Sequence, residues 1–208
     1  MIKTEELRRI WANHTPSLLS ARTRYAVLCP VLERPDGLHV LLEVRAAGLK
    51  QGGEVCFPGG RAEPEETFEA CALRETFEEL SIPPKEIELI GKTDFICVPG
   101  KSLIQPLLGL VSPSGVASIS PSPAEVAEVF TVPLSFLQDT APDLYTYRLK
   151  AQIPENFPYD TVGIRQDYPW KGGEAEVPIW QYDGHVIWGM TARILLDIIR
   201  HLKTQREP

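Results

Sequence analysis

Three glutamates, Glu75, Glu78 and Glu79, crowd into the run Arg74-Glu75-Thr76-Phe77-Glu78-Glu79-Leu80. On a helix advancing by roughly 100° per residue they lie at about 0°, −60° and 40°, on one side of a single turn. Like charges three and four residues apart repel by about 0.2–0.5 kcal/mol per pair. Acidic groups near a helix C-terminus also meet the unfavourable end of the helix dipole. Two readings are open. Paired glutamates are common on solvated helix faces, where water screens them. A hard divalent cation such as Mg²⁺, which prefers oxygen ligands, would instead turn the spacing into chemistry on phosphates. Gly59-Gly60 ahead of the helix favours the second reading, because backbone without a Cβ can approach a ligand closely. Glu66 is spaced to pair with Arg74.

The helix that must hold these groups reads from about Glu65 to Leu80 and is ended by Pro83-Pro84. Ala70, Leu73, Phe77 and Leu80 fall opposite the carboxylates, at roughly 140–220°, and are expected to face the core. Tyr25–Glu33 and Leu38–Arg45 read as strands joined by the turn Arg34-Pro35-Asp36-Gly37. Further strands are expected at Ile87–Val98, Leu103–Val111, Glu128–Val132, Val177–Tyr182 and His185–Trp188, with a closing helix over Met190–Lys203. Residues 1–22 read as a polar, partly helical lead-in with Leu7, Ile10 and Trp11 at helical spacing. Ser112–Pro123, uncharged and rich in Ser and Pro, reads as a flexible loop or a mobile lid. Residues 151–176 hold Pro154, Pro158 and Pro169 with Phe157, Tyr159, Tyr168 and Trp170, which reads as a packed insertion. No internal repeat or domain boundary is visible.

The chain has 208 residues, 43% hydrophobic and 24% charged, which suits one soluble globular domain and excludes a disordered or fibrous chain. No stretch approaches the roughly 20 apolar residues of a membrane span. The polar N-terminus lacks a signal-peptide core, so a cytoplasmic location is the default expectation. A net charge of −7 opposes nucleic-acid binding, yet a phosphate-bearing small ligand remains open where a cation neutralises it. Cys29, Cys56, Cys71 and Cys97 form no CxxC pair and read as buried thiols. His14, His39, His185 and His201 show no ligand spacing and read as surface or hydrogen-bonded residues.

Gly60, five residues, Glu66, seven residues and then Arg74-Glu75-x-x-Glu78-Glu79, within Gly60–Ile82, resembles the Nudix box. Thr76 stands where an aliphatic residue is usual, and Ser81 replaces the glycine after the helix. A left-handed Ser81 would cost about 1–2 kcal/mol relative to glycine. Upstream, Leu41-Leu42-Glu43-Val44-Arg45-Ala46, Lys50, Gly53 and Phe57-Pro58-Gly59-Gly60 are similar to the added signature of the coenzyme A diphosphatases. In that signature Glu43 replaces a Thr, Lys50 replaces an Arg, and one residue fewer separates Lys50 from Gly53. Glu125–Leu134 and Ile187–Ala192 are similar to the same subgroup.

The resemblance implies an α/β/α sandwich with a mixed sheet, taking residues 23–208 as the Nudix domain. It implies hydrolysis of the diphosphate bond of coenzyme A or a derivative, dependent on Mg²⁺ or Mn²⁺, giving 3′,5′-ADP and 4′-phosphopantetheine. Glu75 and Glu79 are then the expected metal ligands, with the carbonyl of Gly60 a third. Glu78 would hold a second ion or orient the attacking water. Glu125 is the candidate base from outside the box; the other reading makes it a helix N-terminal carboxylate after Pro123. Glu66 and Arg74 would give structural support. A 3′-phosphate needs a cation outside the metal cluster, which Arg45, as a bidentate grip, and Lys50, as a point charge, could supply beside the loop of Gly53. Phe57 would stack on a base or lie buried. The alternatives are a Nudix hydrolase of ADP-ribose or another nucleoside diphosphate derivative, and a non-catalytic nucleotide-sensing domain. Residues 151–176 could bind a partner or form a homodimer contact, as Nudix proteins often do.

Overall fold

The structure is a computed structural model that describes residues 2–12, 14, 23–98 and 100–204; most of the second half of the expected lead-in lies outside them. In chain order the elements are α1 (Thr4–Ala12), β1 (Thr23–Arg34), β2 (Gly37–Arg45), β3 (Val55–Cys56), β4 (Gly59–Arg61) and α2 (Phe68–Leu80). After a 3₁₀ turn at Pro84–Glu86 come β5 (Ile87–Lys92), β6 (Ile96–Val98), β7 (Ser102–Val111), α3 (Pro113–Ala117), β8 (Val126–Pro133) and α4 (Leu134–Asp139). The chain closes with β9 (Asp143–Leu149), α5 (Tyr159–Val162), β10 (Gly173–Tyr182), β11 (His185–Trp188) and α6 (Gly189–Thr204).

An eight-stranded sheet runs β3-β2-β1-β7-β5, with β4 on β1, β6 on β7 and β8 on β2. It is mixed, because β1 and β7 are parallel while β1–β2 and β2–β8 are antiparallel. Alternation along the strands divides the core. Ala26, Leu28, Leu32 and Leu41 pack with Cys71, Ala72 and Leu80 of α2. Cys29, Val40 and Leu42 pack with Ala192, Ile194, Leu195, Ile198 and Ile199 of α6. The two helices therefore cover opposite faces of one sheet, which is the expected α/β/α layering. Strands β9, β10 and β11 form a separate antiparallel sheet, with β10 and β11 against α6.

Helix α2 starts later than its periodicity suggests, because Thr67 caps it: the side-chain oxygen accepts from the Ala70 N–H at 3.1 Å. It ends at Ser81, which is left-handed at φ 59° and ψ 20°. The Ser81 hydroxyl donates to the Ser120 carbonyl at 2.9 Å, which offsets part of the strain. The expected core face holds at Leu73 and Leu80 and fails at Ala70 and Phe77. Phe77 is 51% exposed and Ala70 is exposed, while Cys71, Ala72, Thr76, Glu79 and Leu80 are buried. The small residues Cys71, Ala72 and Thr76 let the helix settle close to β1 and β4, rolled toward its carboxylate side. Thr76 is tolerated there because its hydroxyl donates to the Ala72 carbonyl at 2.7 Å.

Ser112–Pro123 is not a lid. Ser112 caps α3, and the N–H groups of Ser120 and Ser122 donate to the carbonyls of Leu80 and Glu79 at 2.9 and 2.8 Å. These bonds fill acceptors that a helix end leaves unpaired. The insertion begins earlier than expected, since Asp143–Leu149 is a strand whose partner β10 starts at Gly173. Within it Phe157 lies edge-on to Tyr159 and Trp170 at 4.9 and 5.3 Å, so the excursion has an aromatic cluster of its own. The strand expected over Ile87–Val98 breaks at Thr93–Phe95 into β5 and β6. Helix α1 has no buried residue.

Gly59 ties β4 to β1 at φ +150°, and a Cβ there would stand 2.4 Å from the Ala26 carbonyl oxygen. G59A is expected to lower stability by at least about 2 kcal/mol, through both contact and backbone strain. Urea denaturation of the metal-free protein checks it, and an unchanged midpoint would show that the strand pair can shift freely.

Candidate active site

The site lies where α2 rests on β4. The Gly59 N–H donates to Glu79 Oε2 at 2.8 Å, so a strand amide holds the helix carboxylate. Beside it, a Cβ on Gly60 would lie 2.4 Å from the Glu75 carboxylate, which requires glycine at this position. The Gly60 carbonyl accepts from the Cys71 thiol at 3.6 Å.

Arg74 neutralises part of the cluster. Its fork donates to Glu66 through Nε at 2.9 Å and Nη2 at 3.0 Å, and its Nη1 reaches Glu75 at 2.9 Å and Glu78 at 3.1 Å. These contacts hold the Glu66 carboxyl down to about 2. Glu66 also accepts from the Glu63 N–H, tying the loop before α2 to the helix. Glu78 is 52% exposed. Glu79, only 5% exposed, has no ion pair among the described residues. Burial, then the charge of Glu43, push its carboxyl up to about 8 despite the Gly59 amide. Burial also raises Glu75, against the pull of Arg74.

A family model described as the NUDIX domain matches residues 22–148, which contain all of these groups. The chain belongs to the Nudix hydrolases. Hydrolases of this family act on pyrophosphate bonds. The chain is 33% identical over 190 residues to an uncharacterized Nudix hydrolase of Photorhabdus laumondii, covering 90% of each. It is 31% identical over 173 residues to a peroxisomal coenzyme A diphosphatase of Mus musculus, covering 82% of this chain and 66% of that one. It is also 31% identical over 191 residues to a mitochondrial coenzyme A diphosphatase of Homo sapiens, covering 90% of this chain and 72% of the other. No helix of the described residues is long and apolar enough to cross a membrane.

The fold brings several upstream residues to the Nudix box. Leu41 faces α2, so strand alternation turns Glu43 to that side as well. Arg45 is held by its loop: its carbonyl accepts from Gly53 at 2.9 Å, its Nε donates to the Lys50 carbonyl at 3.4 Å, and its Nη1 lies 4.0 Å from Cys56 Sγ. Lys50 and Gly53 are exposed on that loop, Gly53 at φ +83°. Glu125 is exposed in a turn before β8, not at a helix N-terminus, and its charge acts on Glu43, Glu75 and Glu79. Phe57 is corrected: it is 4% exposed and packs in the core shared with α6, so its ring is not available to a base.

The thiols also differ from expectation. Cys29 and Cys71 are buried, Cys56 is half-buried and Cys97 is exposed. His201 joins Asp94 and Asp197 in a group whose ligand atoms lie within 4.8 Å, assembled from α6 and the β5–β6 link. That group borders a cleft of about 360 Å³ that shares no residue with the Nudix-box carboxylates.

Glu43 is the residue that the motif reading passed over. It is 0% exposed, and the Cys56 thiol donates to its Oε1 at 3.3 Å while its Oε2 has no hydrogen-bond partner among the described residues. Burial pushes this carboxyl up to about 7, although Cys56 and Arg45 favour its charged form. The signal was present in the sequence, since a Glu inside an apolar strand, two residues after a core Leu, must point into the protein. Both raised carboxyls bind protons in the folded state at a pH where the unfolded chain has released them. Stability of the metal-free protein is therefore expected to fall as pH rises from about 4.5 to about 8, the reverse of a salt-bridged carboxylate. Urea denaturation of chelator-treated protein across that range checks it. E79Q should flatten the slope; a parental slope would show that Glu79 ionises normally.

Proposed function

We propose that this Nudix hydrolase cleaves the diphosphate bridge of coenzyme A or a derivative of it, with Mg²⁺ or Mn²⁺ held by Glu75 and Glu79. The observation that carries the chemistry is the buried Glu79 carboxyl, which has no ion pair among the described residues and is fixed by the Gly59 amide beside a partly neutralised Glu75. Such oxygen donors suit a hard divalent cation. Gly60 lies against the Glu75 carboxylate, and its carbonyl is the further donor in this reading. The substrate class is supported by two coenzyme A diphosphatases among the relatives. It is also supported by Arg45 and Lys50 on the adjoining loop, where cations can grip a 3′-phosphate.

When bound, the cation lowers the pKa of a coordinated water and neutralises charge on the phosphoryl oxygens. The protein's own groups do the rest. Glu125, exposed and close enough in charge to influence the buried glutamates, takes the proton of the attacking water. Glu78, steadied by Arg74, orients that water or holds a second cation. One water is consumed and one P–O bond breaks, releasing 3′,5′-ADP and 4′-phosphopantetheine.

Chromatography of products after incubation with coenzyme A, ADP-ribose and NADH, with Mg²⁺ or Mn²⁺ and with chelator, tests this reading. Preferred, chelator-sensitive release of 3′,5′-ADP is expected, while faster cleavage of ADP-ribose would overturn the substrate. E125Q is expected to lower kcat by about 10²–10⁴ with little change in KM. A parental kcat would remove Glu125 from the reaction. R45A is expected to raise KM for coenzyme A with a smaller effect on kcat, and an unchanged KM would remove Arg45 from substrate binding.

A further inference from the structure

We propose that Glu43 is an additional carboxylate ligand of the divalent-cation site, contributed by strand β2 through its free Oε2. This rests on the reading that Glu75 and Glu79 hold a cation, and it adds a residue which neither the Nudix box nor its spacing contains.

Four observations converge on it. Glu43 sits inside the sheet, paired with Cys56 on β3 and Val129 on β8, and is 0% exposed. A glutamate is almost never buried to this degree without a partner. One oxygen has a donor, the Cys56 thiol, while the other is buried with no hydrogen-bond partner among the described residues. Strand alternation points the side chain toward α2, where Leu41 already packs. Its partner Cys56 stands three residues before Gly59, whose amide holds Glu79.

The cation nearest in the hydrogen-bond network does not resolve this. Arg45 directs Nη1 to the Cys56 sulfur and Nε to the Lys50 carbonyl, so it reaches Glu43 only through the thiol. Arg74 spends its donors on Glu66, Glu75, Glu78 and the Arg61 carbonyl. Among the described residues, neither Glu43 on the sheet nor Glu79 on the helix has an ion pair, and both are buried on the α2 side of the sheet. A divalent cation between them compensates both. The thiol has the complementary task, fixing Oε1 so that Oε2 stays directed at the site.

The test is Mn²⁺ binding to the metal-free full chain, followed by the electron paramagnetic resonance of free Mn²⁺, with thermal melts in parallel. E43Q keeps the side-chain shape and an acceptor for Cys56. It is expected to weaken Mn²⁺ binding by at least about tenfold while its metal-free Tm stays at or above the parental value. E43D, which keeps the charge and shortens its reach, is expected to weaken Mn²⁺ binding as well, and it decides the matter if E43Q does not fold. Parental Mn²⁺ affinity in the folded variants, with or without a lower metal-free Tm, would assign Glu43 to folding alone and overturn the proposal. E79Q separates this from the underlying reading. If the parent binds Mn²⁺ and E79Q weakens it while E43Q does not, only the role of Glu43 falls; if the parent binds no Mn²⁺, both fall.

Discussion

The structure turns on how a helix carrying three carboxylates is seated against a strand that has no side chains in the way. The Gly59 amide holds Glu79, and Gly60 leaves room for the Glu75 carboxylate. A Cβ at either glycine would collide with its neighbour, at 2.4 Å in both cases. The close approach also sets the roll of α2. Its small residues Cys71, Ala72 and Thr76 go inward, and Phe77 is displaced to the surface. A helix packed by its largest apolar residues would have turned these glutamates to water, where their charges are cheap and idle.

Charge compensation around this contact is deliberately incomplete. Arg74 serves Glu66, Glu75 and Glu78 with hydrogen bonds of 2.9–3.1 Å, which ties the loop to the helix and orients one side of the cluster. Among the described residues no cation pairs in this way with Glu79 or Glu43. Leaving buried carboxylates unpaired costs several kcal/mol per ion, a large share of the stability of a domain this size. The proposed cation, binding the folded chain alone, would offset part of that cost by mass action.

Much of this was legible in the residues. The hairpin turn, the helix and the carboxylate spacing follow from local rules, and the order of glycines and acids along Gly60–Ile82 identified the box. What local periodicity could not give is which way α2 rolls, because that depends on residue size at the contact rather than on hydrophobicity alone. The same limit left Phe57 open between stacking on a base and burial; its ring fills the core beside α6. Composition misled at Ser112–Pro123, where serines that look like a flexible tract act as caps for α3 and for the end of α2. Glu43 was hidden for a different reason. A motif compares a position with its customary residue and so registers a substitution, whereas strand alternation asks where the side chain goes.

That capping has a consequence for the chemistry. The bonds from Ser120 and Ser122 to the Leu80 and Glu79 carbonyls fix the start of the turn that presents Glu125, and the Glu125 carbonyl in turn accepts from Ala46 beside Arg45 at 2.8 Å. The turn therefore connects the helix of the Nudix-box glutamates to the loop of Arg45 and Lys50. The backbone at Glu125 is held by bonds to both sides of the site, so the position from which its side chain extends is set when the domain folds. Helix, turn and loop act as one frame, and the same hydrogen bonds that end α2 align the groups expected to act on the substrate.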